Sequence, residues 1–169
     1  MKRLVVDYGK CVGCEMCAMR CSLEKTGNTV NPAVARIHLV RVEEEGIMMP
    51  AVCRHCEEPK CIPACPVKNC MSRDSKTGLV SINAEICIGC KKCTEACPYG
   101  GPVSIPRMSK TGSKQSATLK VLCDLCNGKP ACVEFCPTGC IQYTEADTAL
   151  AARQKKGQEE LAGLITARK

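Results

Sequence analysis

The clearest alternation of apolar and polar residues along this chain lies between residues 35 and 53. The stretch ARIHLVRVEEEGIMMPAVC alternates around Ile37, Leu39 and Val42, and acidic residues and a glycine interrupt it. Alternation with a period of two on both sides of such a break is typical of two antiparallel strands. The pattern therefore predicts a β-hairpin in this region.

Three other apolar stretches have the length of a strand, and the C-terminal segment has the composition of a helix. The predicted strands are Arg3–Tyr8, Gly78–Asn83 and Cys140–Thr144. Residues 145–169 contain no cysteine and are rich in helix formers. They predict a C-terminal helix that packs on its own chain or contacts a partner, although Gly157 weakens it. The apolar residues that fall on roughly one face of this helix are Leu150, Leu161, Leu164 and Ile165.

The composition adds that apolar burial alone is a weak source of stability here. The 169 residues include no Trp, one Phe and three Tyr, whereas 18 are cysteines. So many cysteines indicate either an exported disulfide scaffold or an intracellular chain that binds metal. The start MKRLVVDYGKC shows no export signal, so we expect a cytoplasmic, reducing location unless a partner carries the chain through an export system.

Sixteen of the cysteines form four repeats of one spacing. The first and third repeats keep C-x2-C-x2-C-x3-C, and the other two lengthen one gap. A proline follows the last cysteine in every set but the first, where Ser22 lets the chain continue as a helix through Leu23 and Glu24. The four sets are Cys11, Cys14, Cys17 and Cys21; Cys53, Cys56, Cys61 and Cys65; Cys87, Cys90, Cys93 and Cys97; and Cys123, Cys126, Cys132 and Cys136.

This spacing is that of the [4Fe-4S] ligands of bacterial ferredoxins. Three close thiolates on a turning loop can bind three irons of one cluster, and a short helical turn directs the fourth thiolate to a neighbouring cluster. Structural zinc favours paired C-x2-C units with a longer loop between them, so zinc and disulfides are the weaker alternatives. Sixteen ligands predict four 4Fe-4S clusters.

The linker lengths favour a nested pairing of the sets. Only 21 residues separate the second and third sets, whereas 31 residues, including the hairpin, separate the first and second. We therefore predict an α+β fold of two ferredoxin-like units, with small antiparallel strand pairs and short helices around four clusters. The inner unit is 53–106, the outer unit is 1–52 with 107–144, and the C-terminal helix follows. The predicted ligand groups are Cys11, Cys14, Cys17 and Cys136 (cluster 1); Cys53, Cys56, Cys61 and Cys97 (cluster 2); Cys87, Cys90, Cys93 and Cys65 (cluster 3); and Cys123, Cys126, Cys132 and Cys21 (cluster 4).

Over about residues 2–144 the chain resembles the four-cluster iron-sulfur subunits of the dimethyl sulfoxide reductase and formate dehydrogenase type. The motifs that carry the resemblance are CRHCEEPKC, CIGCKKCTEACPYG and CDLC-x5-C-x3-CPTG. It implies the nested pairing and an electron-transfer subunit that serves a large catalytic molybdenum or tungsten pterin subunit, a hydrogenase or a carbon monoxide dehydrogenase. The short chain without a membrane anchor is similar to subunits of tungsten aldehyde:ferredoxin oxidoreductases, including benzoyl-CoA reductases. A flavin or ferredoxin partner is a further implication.

The net charge of +7 is that of the polypeptide alone, and bound clusters would make it more negative. Four oxidised clusters, each of net charge −2 with its thiolates, would lower the total to about −1. No nucleic-acid partner is therefore expected, and the basic segment 106–120, which lacks aromatic residues, predicts a solvated hairpin tip or a docking loop. No apolar run is long enough for a membrane span. The lysines predicted to raise cluster potentials are Lys10, Lys91, Lys92 and Lys129.

No catalytic constellation is present, so the sequence predicts one-electron transfer without substrate chemistry. The alternatives are a free-standing polyferredoxin carrier and a structural or regulatory metal module. Cys70 and Cys140 fall outside the four sets. We predict that they are small buried packing residues, and the alternative is that they are redox thiols. We predict that His55 forms a hydrogen bond near sulfur and does not bind iron, because its set has four cysteine ligands without it.

Overall fold

The computed structural model describes residues 2–42, 44, 46–106, 118–145 and 148–167. The described residues form short strands and four α-helices, of which the last is the longest. In chain order the elements are β1 (Arg3–Val6), α1 (Met16–Thr26), β2 (Ile37–Val42), β3 (Ile47–Val52), β4 (Met71–Arg73), β5 (Val80–Ile82), α2 (Lys92–Ala96), β6 (Val103–Pro106), β7 (Thr118–Val121), α3 (Ala131–Glu134), β8 (Ile141–Thr144) and α4 (Thr148–Ala167).

The strands of the described residues form four separate two-stranded antiparallel sheets. β2 pairs with β3, β4 with β5, β6 with β7, and β1 pairs with β8 from the far end of the chain, so that Arg3 lies opposite Thr144. The predicted small antiparallel pairs are confirmed. β1 is shorter than predicted because Tyr8 begins a 3₁₀ turn, Tyr8–Lys10.

The predicted hairpin is present as β2 and β3, but both of its faces are covered. Ile37 and Val52 pack into the larger apolar cluster, which also contains most of the buried cysteines. Val40 and Ala51 pack into a second cluster on the other side, against Leu161 of α4. The alternation in the sequence therefore marks two packed faces of the hairpin.

The short helices begin around the third cysteine of a set, as the spacing indicates. α2 and α3 end before Cys97 and Cys136, each followed by a proline. In set one the helix continues through Cys21 to Thr26, as predicted. Ser22 is fully buried; its hydroxyl donates to the Met19 carbonyl at 2.7 Å and accepts from the Asn31 amide at 3.1 Å. Ser22 thus fixes the loop after α1.

α4 packs against its own chain, on β1, β2 and the Tyr8–Lys10 turn. Leu161 is fully buried, and Leu164 and Ile165 are half-buried in the same cluster. A Cβ atom at Gly157 would lie 2.1 Å from Cδ2 of Tyr8. Gly157 therefore permits a close contact between the helix backbone and the Tyr8 ring. The side chain of Leu150 lies outside the described residues.

Most of the basic segment, 107–117, lies outside the described residues. No helix within the described part of the chain is both long enough and apolar enough to cross a bilayer. The division into an inner and an outer unit stays a prediction.

Candidate iron-sulfur sites

Cysteines from different repeats lie around common cavities. Three cavities are each lined by three cysteines of one set and the fourth cysteine of another. They bring together Cys65 with Cys87, Cys90 and Cys93; Cys21 with Cys123, Cys126 and Cys132; and Cys136 with Cys11, Cys14 and Cys17. That these thiols bind iron in these groups stays a prediction.

The remaining four cysteines of the sets also lie near one another. A Cβ atom at Gly101 would be 3.1 Å from Cα of Cys53 and 3.5 Å from Sγ of Cys97, which places these two cysteines side by side. Burial raises the pKa values of Cys53, Cys56 and Cys61, and the nearby Cys97 thiol raises them further.

Burial keeps most of the interior thiols neutral in the absence of a metal. It raises the pKa of Cys17 to about 12 and that of Cys123 to about 12, and it also raises the pKa of Cys132. A thiol must lose its proton to bind iron, so assembly of a cluster releases protons at these positions. Cys14 and Cys90, in contrast, are exposed.

Backbone N–H groups donate hydrogen bonds to the sulfur atoms of several cysteines, and four of these bonds are defined by their distances. Such bonds favour the thiolate, and they are among the contacts that adjust cluster potentials. The four donate from Arg36 to Cys21 at 3.2 Å, from His55 to Cys53 at 3.5 Å, from Gly101 to Cys97 at 3.3 Å and from Leu125 to Cys123 at 3.5 Å.

Every set turns through a left-handed residue two positions after its first cysteine. These residues are Gly13, His55, Gly89 and Leu125, with φ angles of 67, 48, 69 and 54°. Such residues curl the chain so that successive N–H groups face one concave side, which suits an anionic cluster. Glycines at these positions signal the left-handed conformation in the sequence, whereas His55 and Leu125 give no such signal. For His55 and Leu125 the left-handed conformation costs roughly 1–3 kcal/mol each.

His55 also orders its loop through its side chain. Its Nδ1 accepts a hydrogen bond from the Val80 amide at 3.0 Å and lies 3.8 Å from Sγ of Cys53. Since Nδ1 is an acceptor, the neutral ring carries its proton on Nε2, and burial lowers the pKa of the ring. The expected role in hydrogen bonding near sulfur agrees with this arrangement.

Cys70 and Cys140 are buried, as a packing role requires, but they lie beside cysteines of the sets. Each is 3% exposed and lines one of the cysteine cavities. Sγ of Cys140 lies 3.6 Å from Sγ of Cys136. A hydrogen bond with Cys140 lowers the pKa of Cys11 to about 6.

Of the four predicted lysines, Lys91 lines one of the three cysteine cavities, that of Cys65 and Cys87. The four predicted lysines are all exposed: Lys10, Lys91, Lys92 and Lys129. Lys120, in contrast, is 3% exposed, donates to Ser104 and lines the cavity of Cys65 and Cys87. Lys25 donates to Asp124 at 2.7 Å and to Sγ of Cys126 at 3.6 Å. The predicted lysines were chosen by their position next to cysteines, which does not reveal burial.

The donor chemistry fits the [4Fe-4S] group that the spacing predicts. The three cavities have thiols from two sets in their walls, and N–H groups point at thiols of the same groups. Within the described residues, no three His, Cys, Asp or Glu side chains converge as closely as a single metal ion would require.

Comparisons with known proteins identify the family. The model of the 4Fe-4S dicluster domain matches residues 44–146. The polyferredoxin-like subunit of the aliphatic sulfonate oxidoreductase of Pyrococcus furiosus is 40% identical over 133 residues, which are 79% of this chain and 70% of that protein. Electron transport protein HydN of Escherichia coli is 31% identical over 171 residues, covering 90% of this chain and 95% of that protein.

A solved structure, the active site complex BamBC of benzoyl coenzyme A reductase, matches 96% of this chain and 90% of its own with a TM-score of 0.46 and 22% identity. The family description names two clusters, so the count of four stays a prediction. The resemblance to iron-sulfur subunits is confirmed, and the chain belongs to the 4Fe-4S dicluster family of ferredoxin-like iron-sulfur proteins.

Proposed function

We propose that this chain is an electron-transfer subunit that relays single electrons through four 4Fe-4S clusters to or from a catalytic molybdenum or tungsten pterin subunit. One observation carries the proposal: cysteines of different repeats line common cavities. An arrangement of this kind is expected when neighbouring sets exchange their fourth ligands between neighbouring clusters, and it supports the proposal. The name of the Pyrococcus furiosus relative, a subunit of an oxidoreductase, supports the assignment to a complex.

The packing of the helices and strands supports the nested arrangement. α1 of set one packs against α3 of set four, and β1 pairs with β8. β4 and β5 form a pair in the linker between sets two and three. We therefore assign the outer unit to sets one and four and the inner unit to sets two and three.

The protein contributes binding, orientation and electrostatics. A bound cluster supplies reversible one-electron chemistry. The cysteine thiolates bind iron, the N–H groups aimed at sulfur stabilise the thiolates, and burial excludes water. In this proposal the chain supplies no group to the substrate chemistry, which belongs to the partner.

Anaerobic isolation of the native complex from its source organism tests this function. We expect sixteen iron atoms per chain, a large co-eluting subunit in size-exclusion chromatography, and tungsten or molybdenum in stoichiometric amount. Fully loaded chain that elutes alone would favour the free carrier and overturn the subunit assignment. Folded chain with far fewer than sixteen irons, or with zinc, would overturn the four clusters.

A further inference from the structure

Arg54 lies between Cys53 and Cys56, and its guanidinium is buried. Its Nε, Nη1 and Nη2 atoms have almost no contact with solvent and no hydrogen-bond partner among the described residues. Removing a guanidinium from water is costly unless an opposite charge lies close to it. The position of Arg54 therefore requires an anion at short range.

The groups that favour the charged form of Arg54 belong to one candidate site. Burial lowers the pKa of Arg54 to about 10, and Cys56, Tyr99 and Cys97 act in the opposite direction. Cys56 and Cys97 are two of the four thiols predicted to bind cluster 2. The anion that the geometry offers is this group of thiolates with its iron and sulfide.

The C-terminal helix covers this arrangement from one side. Cζ of Arg54 lies 5.5 Å from the centroid of the Tyr8 ring, which is 8% exposed. The Tyr8 ring also meets the backbone of α4 at Gly157. The buried Tyr8 ring thus contacts both α4 and the guanidinium, and it excludes water from that part of the guanidinium surface.

We infer that Arg54 is the fixed counter-charge of the cluster bound by Cys53, Cys56, Cys61 and Cys97, and that it raises the reduction potential of that cluster. The inference rests on the proposed function. Reduction adds one negative charge to the cluster, so a cation at short range stabilises the reduced form more than the oxidised form. The effect is large only where the local dielectric is low, as it is around a buried guanidinium.

Two comparisons within the chain make the inference specific. Lys60 belongs to the same cysteine set as Arg54, carries the same charge and is exposed, so water screens it. Among the described residues, no cation lines the cavity of Cys11, Cys14, Cys17 and Cys136. The one charged residue that they contribute to its wall is Glu15, which pairs with Arg41 at 2.6 Å.

Anaerobic redox titration of the full-length holoprotein, followed by electron paramagnetic resonance, tests the inference. In Arg54→Gln we expect the midpoint potential of one cluster to fall by at least about 59 mV, which is a tenfold change in its one-electron reduction equilibrium constant. The midpoint potentials of the other three clusters should stay unchanged. Arg54→Lys should keep this midpoint potential close to that of the wild type because lysine keeps the charge. Lys60→Gln, the matched exposed control, should leave all four midpoints unchanged.

The outcomes separate this inference from the proposed function. Four clusters with unchanged midpoints in Arg54→Gln would overturn the role of Arg54 and leave the electron-transfer assignment intact, whereas a wild-type chain without four clusters would overturn the assignment itself. If Arg54→Gln does not assemble its clusters, Arg54→Met, which keeps the length of the side chain without its charge, takes its place in the same titration. Four unchanged midpoints in Arg54→Met would contradict the inference.

Discussion

At the residue scale, two neighbouring cysteines, Cys136 and Cys140, compete for the same role as an iron ligand. Cys136 and Cys140 lie 3.6 Å apart at the wall of one cavity. Cys136 follows α3 at the spacing of a fourth ligand, whereas Cys140 immediately precedes β8, where its carbonyl accepts a hydrogen bond from the Asp7 amide at 2.8 Å. The backbone of Cys140 is therefore tied to the strand pair.

We expect Cys136→Ala to lose one cluster and Cys140→Ala to keep all four. Loss of a cluster should lower the iron content from sixteen to about twelve atoms per chain. Iron analysis and electron paramagnetic resonance of anaerobically purified variants measure this. A chain that loses iron on Cys140→Ala and keeps it on Cys136→Ala would reverse the assignment of these two residues.

Residue spacing made the four cysteine sets visible in the sequence, but it did not reveal their surroundings. The left-handed conformations of His55 and Leu125 have no local signal, because the fold imposes them on residues that rarely adopt them. Burial of Lys120 and Arg54 is likewise a tertiary property, so counting lysines next to cysteines selected exposed ones.

At the element scale, α4 shows how one residue has opposite effects in isolation and in the fold. By propensity, Gly157 weakens a helix by roughly 1 kcal/mol relative to alanine. In the structure, its missing side chain allows the helix to lie on the Tyr8 ring. The sequence predicted the helix from composition, but the contact joins residues 149 positions apart, which local pattern cannot show.

Gly157→Ala should therefore loosen α4, and Gly163→Ala should not. A Cβ atom at 157 has to displace the buried Tyr8 ring, at a cost of about 1–3 kcal/mol, while a Cβ atom at 163 has no neighbour within 4 Å. Hydrogen exchange of α4 amides measures the effect, with about tenfold less protection for each 1.4 kcal/mol. Equal protection in the two variants would show that the Tyr8 contact does not hold the helix in place.

At the scale of the whole molecule, the four sheets are too small to account for the fold. Each described sheet has two strands, and an isolated two-stranded sheet is marginal in water. The larger apolar cluster is built in good part from cysteines, four of which come from sets one and four, and two more cysteines of these sets pack against it. Cohesion must therefore come from bonds to the metal.

Removal of iron should unfold the chain as a whole. Oxidation and chelation of the clusters under argon, with a reductant then added to keep the thiols reduced, are expected to abolish most β-sheet protection and to reduce the helical circular dichroism signal. The apo chain should regain both only when iron and sulfide are supplied together. An iron-free chain with native circular dichroism and exchange protection would contradict this dependence.

Two of the cysteines predicted to bind iron are exposed, and their exposure has a consequence for the lifetime of the protein in air. Cys14 and Cys90 belong to sets one and three, whereas the second cysteines of the other sets are half-buried. Oxidants reach accessible sulfur first, so damage should start at these two positions and spread inward only after the first irons have left. A cell that uses this protein has to keep oxygen away from it or cover both positions, and a partner protein docked over them would protect them from oxidation.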